Sequence, residues 1–401
     1  MFYPDLENVK ILAEKYNIIP VTMEVYADME TPISLFKRFE DSSFCFLLES
    51  VEGGEKWARY SFIGRNPFLI VKSSRGMTVI EDRQGNITQR SGNPIKIIKE
   101  LMSSYKGADI PRLPRFTGGA AGFFGYDLIR HYENLLNQPQ DDLELPDTHF
   151  MFTDEVLVFD HLKQKIHIVV NIHVNGNIER GYNSSIDKIK AIYKEILTTR
   201  WKITDSFRPD FGAVSTPFEY SSNTTRERFC QNVMKARQYI INGDISRAVI
   251  SQRLCTGTGR EPLDVYRVLR SINPSPYMYY LKFKDYRLAG SSPEMLVRVE
   301  NGDVETCSVT GAGKRGEIKK IIDELEDVKR GPYGGVIGYF SFNGNLDSCA
   351  NISTIVFKDK KAYVQAGAEI SSDSDPSGKY DETLNNAGTM LRALEEAGNI
   401  R

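Results

Sequence analysis

Residues 277–309 decide the fold: Tyr277-Met-Tyr-Tyr-Leu-Lys-Phe283, Arg287-Leu-Ala-Gly290, Met295-Leu-Val-Arg-Val-Glu300, Asn301-Gly302 and Asp303-Val-Glu-Thr-Cys-Ser-Val309 follow one another closely. Short runs rich in aromatic and β-branched residues, separated by turn residues, read as strands. Asn-Gly between two such runs marks a two-residue hairpin, whose turn needs positive φ at both positions. Hairpin-linked strands pair antiparallel.

Helices flank these strands. Thr225 opens one whose apolar residues Phe229, Val233, Ala236 and Ile240 share a face, and Gly243 ends it. A strand around Ala248–Leu254 and a helix over Pro262–Ser271 precede the hairpins. A helix over Glu317–Val328, two or three strands between Gly335 and Ala368, and a helix over Lys379–Glu396 follow. The first half alternates strands such as Phe44–Leu48 and Val156–Phe159 with helices at Pro94–Tyr105 and Ile186–Thr198, and hairpin turns are expected at Asp82–Gly85 and Val174–Asn177. Lys202–Thr224 is polar and carries Pro209 and Pro217. The pattern predicts an α+β fold of mostly antiparallel sheets with flanking helices, divided into a region 1–201, a linker 202–224 and a region 225–401.

The 401 residues, 41% hydrophobic and 26% charged, have 51 Lys plus Arg against 53 Asp plus Glu. No run of basic residues suggests nucleic acid, and no stretch approaches the roughly 20 apolar residues of a membrane span. A cytoplasmic location is expected, without membrane partners. Cys45, Cys230, Cys255, Cys307 and Cys349 are scattered singly, which suits reduced thiols. All five histidines precede residue 174, so chemistry in the second half must use other groups.

Gly311-Ala-Gly-Lys-Arg-Gly316 lacks the spacing of a phosphate loop, because Ser308 and Arg315 stand where a glycine and a hydroxyl belong, and reads as a strand-to-helix connection. Asn273-Pro-Ser-Pro-Tyr-Met278 reads from spacing alone as a helix stop before a core strand. These residues, with Leu47-Leu-Glu-Ser50, Gly290-Ser-Ser-Pro-Glu294, Arg330-Gly-Pro-Tyr-Gly-Gly335, Gly338-Tyr339, Asp347-Ser-Cys349 and Gln365-Ala-Gly-Ala368, resemble anthranilate synthase component I over nearly the whole chain. The resemblance implies a carbon-oxygen lyase that converts chorismate and ammonia to anthranilate and pyruvate in tryptophan biosynthesis, with Mg²⁺, a glutamine amidotransferase subunit as partner and feedback inhibition by tryptophan.

Departures from that family concentrate on catalysis. Its segment carrying a metal-binding glutamate, a catalytic histidine and a substrate loop has no counterpart between Gly316 and Glu317. Arg247, Ser353, Glu369 and Lys379 stand where the resemblance implies glutamine, arginine, glycine and glutamate, and an ammonium cannot ligate Mg²⁺. Glu294, Tyr333 and Gly367 remain as residual catalytic residues and Glu382 as a residual metal ligand. The tryptophan site implied by the resemblance is retained: Glu49, Ser50, Asn273, Pro274, Pro276, Tyr277, Met278, Tyr279, Gly290, Tyr339 and Cys349. Small polar residues at Ser246, Ala350, Asn351, Ser353, Ser371, Ser372 and Asn386 suit a face that has lost its covering lobe.

The expectation is therefore a truncated protein that binds L-tryptophan without catalysis and needs no cofactor, Mg²⁺ being implied only if the catalytic site survives. Protein engineering and natural divergence are both open as its origin. The alternatives are an active anthranilate synthase and a non-binding scaffold for the glutaminase subunit.

Overall fold

A computed structural model describes residues 1–50, 59–133, 135, 137, 139–198, 218–307 and 315–399. The first half supplies β1 (Phe2–Tyr3), β2 (Ile18–Tyr26), β3 (Cys45–Glu49), β4 (Tyr60–Arg65), β5 (Leu69–Ser74), β6 (Met77–Asp82), β7 (Ile87–Ser91), β8 (Gly119–Phe124), β9 (Thr148–Thr153), β10 (Glu155–Asp160) and β11 (Lys165–His173). The second half supplies β12 (Ser221–Ser222), β13 (Ala248–Gly257), β14 (Tyr277–Lys282), β15 (Tyr286–Ser292), β16 (Met295–Glu300), β17 (Asp303–Thr306), β18 (Val336–Ser341), β19 (Leu346–Ala350), β20 (Thr354–Lys358) and β21 (Lys361–Ile370). The helices are α1 (Leu6–Ala13), α2 (Pro32–Lys37), α3 (Pro94–Ser103), α4 (Ile178–Thr198), α5 (Arg226–Ile241), α6 (Pro262–Ile272), α7 (Arg315–Leu325) and α8 (Pro376–Glu396).

Among the described residues these strands form a 12-stranded sheet, β1-β2-β11-β10-β4-β3-β14-β15-β20-β21-β13-β12, and a 9-stranded sheet, β17-β16-β19-β18-β8-β9-β5-β6-β7. Each sheet contains strands from both halves. The halves meet at β3–β14, where Met278 lies opposite Glu49, and at β8–β18, where Tyr339 lies opposite Ala121. An aromatic core with Phe46, Phe62, Phe116, Phe123, Tyr279 and Tyr339 fills the space between the sheets. The outer face of the larger sheet packs Leu47, Ile168 and Ala366 against helix residues such as Ile189, Tyr266 and Met390. Helix α3 places Ile97 and Ile98 on the outer face of the smaller sheet. The central strands are thereby buried on both faces, whereas β7 and β17 at the two ends of the smaller sheet are largely exposed.

Local chemistry accounts for most element ends. The Thr225 hydroxyl accepts from Arg228 N–H at 3.2 Å and caps α5, while Phe229, Val233 and Ala236 are buried on one face. Asn301 and Gly302 have φ of 54° and 90°, as the β16–β17 hairpin requires. Three expectations need correction. Between Val336 and Ile370 there are four strands, because Asn345 and the Asp359–Lys360 pair each close a tight hairpin. Val174–Asn177 joins a strand to a helix: the Asn177 side chain accepts from Arg180 N–H at 3.0 Å, which starts α4 eight residues before Ile186. Helix α7 stops at Leu325, and Glu326 turns its carboxylate onto Ser251. Residues 202–217 of the expected linker 202–224, and Gly311–Lys314, lie outside the described residues. No described helix is long and apolar enough to cross a membrane.

Candidate functional site

A partly open pocket with a free interior of about 40 Å³ lies between the two sheets at the seam between the halves of the chain. The walls would have to move apart to admit a small molecule, whose sites usually measure roughly 300–1,000 Å³. β3 contributes Leu48 and Glu49, with Ser50 just beyond; β4 contributes Tyr60 and Phe62. Pro276 and the first residues of β14, Tyr277, Met278 and Tyr279, form a second wall. Arg298, Ile337, Gly338, Tyr339, Asp347, Cys349 and Arg115 complete the lining.

The sequence folds this way because α6 stops abruptly. Asn273 leaves helical geometry at φ −141°, ψ 64°, and its side-chain N–H donates to Ser291 Oγ at 3.1 Å while Ser291 Oγ donates back to the Asn273 carbonyl at 2.7 Å. Two prolines then prevent helix continuation and deliver Tyr277 into β14. Gly290 faces the Tyr279 ring across the β14–β15 ladder, and a Cβ there would lie 2.3 Å from ring atoms. Glycine is required at 290 for room.

Two charged groups are set into these walls. The Glu49 carboxylate, 5% exposed, accepts from Tyr266 Oη at 2.7 Å and Arg270 Nε at 3.1 Å. Burial, and then the neighbouring Glu49 charge, push the Tyr266 phenol well above its ordinary pKa, so it remains a donor. Asp347 accepts two hydrogen bonds from Arg298, at 2.7 and 3.0 Å, and one from Tyr277 Oη at 2.9 Å, with Arg115 3.6 Å away. Burial raises the Cys349 thiol and the Tyr339 phenol, so both line the cavity as neutral groups.

Of the residues predicted for a ligand site, Glu49, Ser50, Pro276, Tyr277, Met278, Tyr279, Tyr339 and Cys349 converge on this cavity. Asn273, Pro274 and Gly290 do not line it: Pro274 is exposed, and the other two act on Ser291 and Tyr279 behind the wall. Arg115 and Arg298 were not found by sequence reasoning. A charged residue inside the apolar run Met295–Val299 was the available signal for Arg298.

The residues predicted for catalysis sit elsewhere. Tyr333 is half-buried in the turn after α7, and its hydroxyl lies 2.8 Å from where a Cβ on Gly367 would be. Glu294 is exposed before β16, its carbonyl accepting from Ala350 N–H at 3.0 Å. Arg247 and Glu369 form an ion pair at 3.0 Å across the β13–β21 edge, and Lys379 pairs with Glu382 at 2.7 Å on α8. An ammonium this close does not fit Glu382 to a divalent cation. Among the described residues no three His, Cys, Asp or Glu side chains gather as a metal site needs.

The profile of the chorismate binding enzyme family matches the chain in two segments, residues 45–320 and 306–392. Anthranilate synthase component 1 of Acetivibrio thermocellus is 53% identical over 494 positions, covering 100% of both chains. The chain belongs to the anthranilate synthase component I family. The corresponding protein of Aquifex aeolicus is 32% identical, covering 98% of each chain. The crystal structure of anthranilate synthase component I from Streptococcus pneumoniae superimposes with a TM-score of 0.72 at 27% identity, covering 92% of this chain and 99% of that one. The isochorismate synthase MenF of Escherichia coli, at 12% identity and TM-score 0.63, shares the fold. Within the anthranilate synthase component I fold, the seam cavity and the Tyr333–Gly367 face are separate places on the larger sheet: the cavity adjoins β3 and β14, and Gly367 lies on β21.

Proposed function

We propose that this chain is an anthranilate synthase component I-like protein that binds L-tryptophan in the seam cavity and does not catalyse the family's reaction. The observation that carries the reading is the convergence of eight residues expected from the family resemblance on one partly open, mostly apolar pocket with a buried carboxylate in its wall. Pro276, Tyr277 and Met278 would flank an indole, and Glu49 and Ser50 would take the polar groups of the amino acid. Loss of catalysis is supported by the ion pairs that occupy Glu369 and Glu382, and by length. The alignment with the Acetivibrio protein spans 494 positions against 401 residues here, and the family profile matches in two segments that overlap at 306–320. Both features suit an internal deletion next to residue 316.

The second reading is an active anthranilate synthase component I, with Mg²⁺ and a glutamine amidotransferase subunit. The identity to proteins of that name over the full chain favours it. Two assays separate the readings. Calorimetry with L-tryptophan should give saturable binding that Ser50→Phe abolishes. Incubation with chorismate, Mg²⁺ and ammonia should give no anthranilate above background; production of anthranilate would establish the second reading. A stable complex with the glutaminase subunit and no response to tryptophan would instead favour a scaffold.

A further inference from the structure

Behind the tryptophan cavity a groove opens between α6 and the end of β10, lined among others by His161, Arg270, Glu30 and Glu396. Glu49 lines the cavity, and Arg270 of the groove reaches its carboxylate. One carboxylate oxygen, Oε2, is fixed by Tyr266 and Arg270. The other, Oε1, lies 3.5 Å from Ser61 Oγ, a long and weak contact. Ser61 is fully buried, and its Oγ lies 2.8 Å from His161 Nε2.

A hydroxyl has one proton to give. With His161 neutral and Nε2 unprotonated, Ser61 donates to the imidazole and leaves Oε1 of Glu49 for another cation or donor. An imidazolium must donate from Nε2, so Ser61 becomes the acceptor there and its proton turns to the nearby Glu49 Oε1. The added positive charge also opposes a cation arriving at Glu49. We propose that the His161–Ser61 pair controls how well Glu49 receives the ammonium of a bound amino acid, so that protonating His161 weakens binding. The inference rests on the tryptophan reading of the cavity.

The charges facing His161 come from several elements. Arg270 on α6 opposes its protonation; Asp160, on its own strand and held by Arg59 at 2.9 Å, favours it. Across the groove, Glu30 is paired with Arg38, and Glu396 at the end of α8 with Arg392. Burial is the largest influence and, with Arg270, lowers the His161 pKa, which puts the transition on the acid side of the ordinary histidine range. His167 is also lowered and His149 is buried, so a variant at 161 is needed to assign the effect.

The test is calorimetric titration of the full chain with L-tryptophan from about pH 8 to about pH 5, a range in which the ligand's own ammonium stays charged. The wild-type Kd should rise at least about fivefold towards acid, the lower end of ordinary site coupling. His161→Gln should give a flat profile with binding retained, and Ser61→Ala should reduce the slope to the part that the His161 charge exerts directly. By linkage, saturating tryptophan should lower the His161 pKa followed by NMR by the same factor. A flat wild-type profile, or an unchanged slope in His161→Gln, would overturn the relay while leaving the cavity assignment standing. Absence of binding at about pH 8 would remove both.

Discussion

Replacing Gly290 with alanine tests whether the cavity wall is as tightly determined as its geometry indicates. The new Cβ would lie 2.3 Å from Cε2 and Cζ of Tyr279 and 2.4 Å from its Oη. Ordinary carbon contacts are about 3.5–4.0 Å, so three atoms would overlap by more than 1 Å. The ring has little freedom to swing away, being 1% exposed with its hydroxyl held by Thr354 Oγ1 at 2.6 Å and Asn351 Oδ1 at 3.3 Å. Overpacking of this kind costs about 1–3 kcal/mol. Tyr279 lines the cavity, so displacing it should weaken tryptophan binding as well, by about tenfold for each 1.4 kcal/mol that reaches the ligand. Urea unfolding at constant m would read the first effect and calorimetry the second. Gly388→Ala is the control: nothing lies within 4 Å of its Cβ on α8, and alanine there should be neutral or stabilising by about 0.5–1 kcal/mol. Equal behaviour of the two variants would refute the reasoning.

Other perturbations follow from the same geometry. Glu326→Ala should destabilise by about 3–5 kcal/mol in denaturant titrations, because it strips the carboxylate partner from buried Arg330 and removes the acceptor of Ser251 N–H; Arg330→Met in the same chain should recover part of the loss. The Arg247–Glu369 pair is largely exposed, so Arg247→Ala should change stability by no more than about 1 kcal/mol. Burial, reinforced by Lys72, lowers His149 from 6.5 to about 3. The unfolded chain therefore binds a proton that the native state refuses, and stability should be full above about pH 6.5 and fall towards about pH 3 by up to about 1.4 kcal/mol per unit. His149→Phe should remove that slope, as measured by urea unfolding at several pH values.

The elements that sequence reading located well are those governed by local chemistry. The Asn301-Gly302 turn, the Thr225 cap and the proline-initiated α6 each follow from a few neighbouring residues. The four hairpin strands after Val336 were undercounted because Asp359 and Lys360 adopt positive φ without the glycine that usually signals it. Eight of the sixteen residues lining the pocket were expected, through the family resemblance; by spacing alone Asn273–Met278 read as a helix stop before a core strand. Arg115 and Arg298 were not expected: Arg298 meets Asp347 because β16 pairs with β19 in the register that sets the two opposite each other, and Arg115 approaches the same carboxylate from far away in the sequence. Arg247 and Glu369 looked like independent departures from the family; strand register places Val249 opposite Glu369 and brings the two charges together as one pair. Such pairings depend on register, which no local pattern states.

The central claim is amino-acid binding at the seam, and calorimetric titration of the full chain with L-tryptophan, repeated on Ser50→Phe, tests it most directly. The account predicts one saturable site in the parent chain and none in the variant, with both equally folded by far-ultraviolet circular dichroism. No saturable heat at millimolar tryptophan, or undiminished binding in Ser50→Phe, would contradict it.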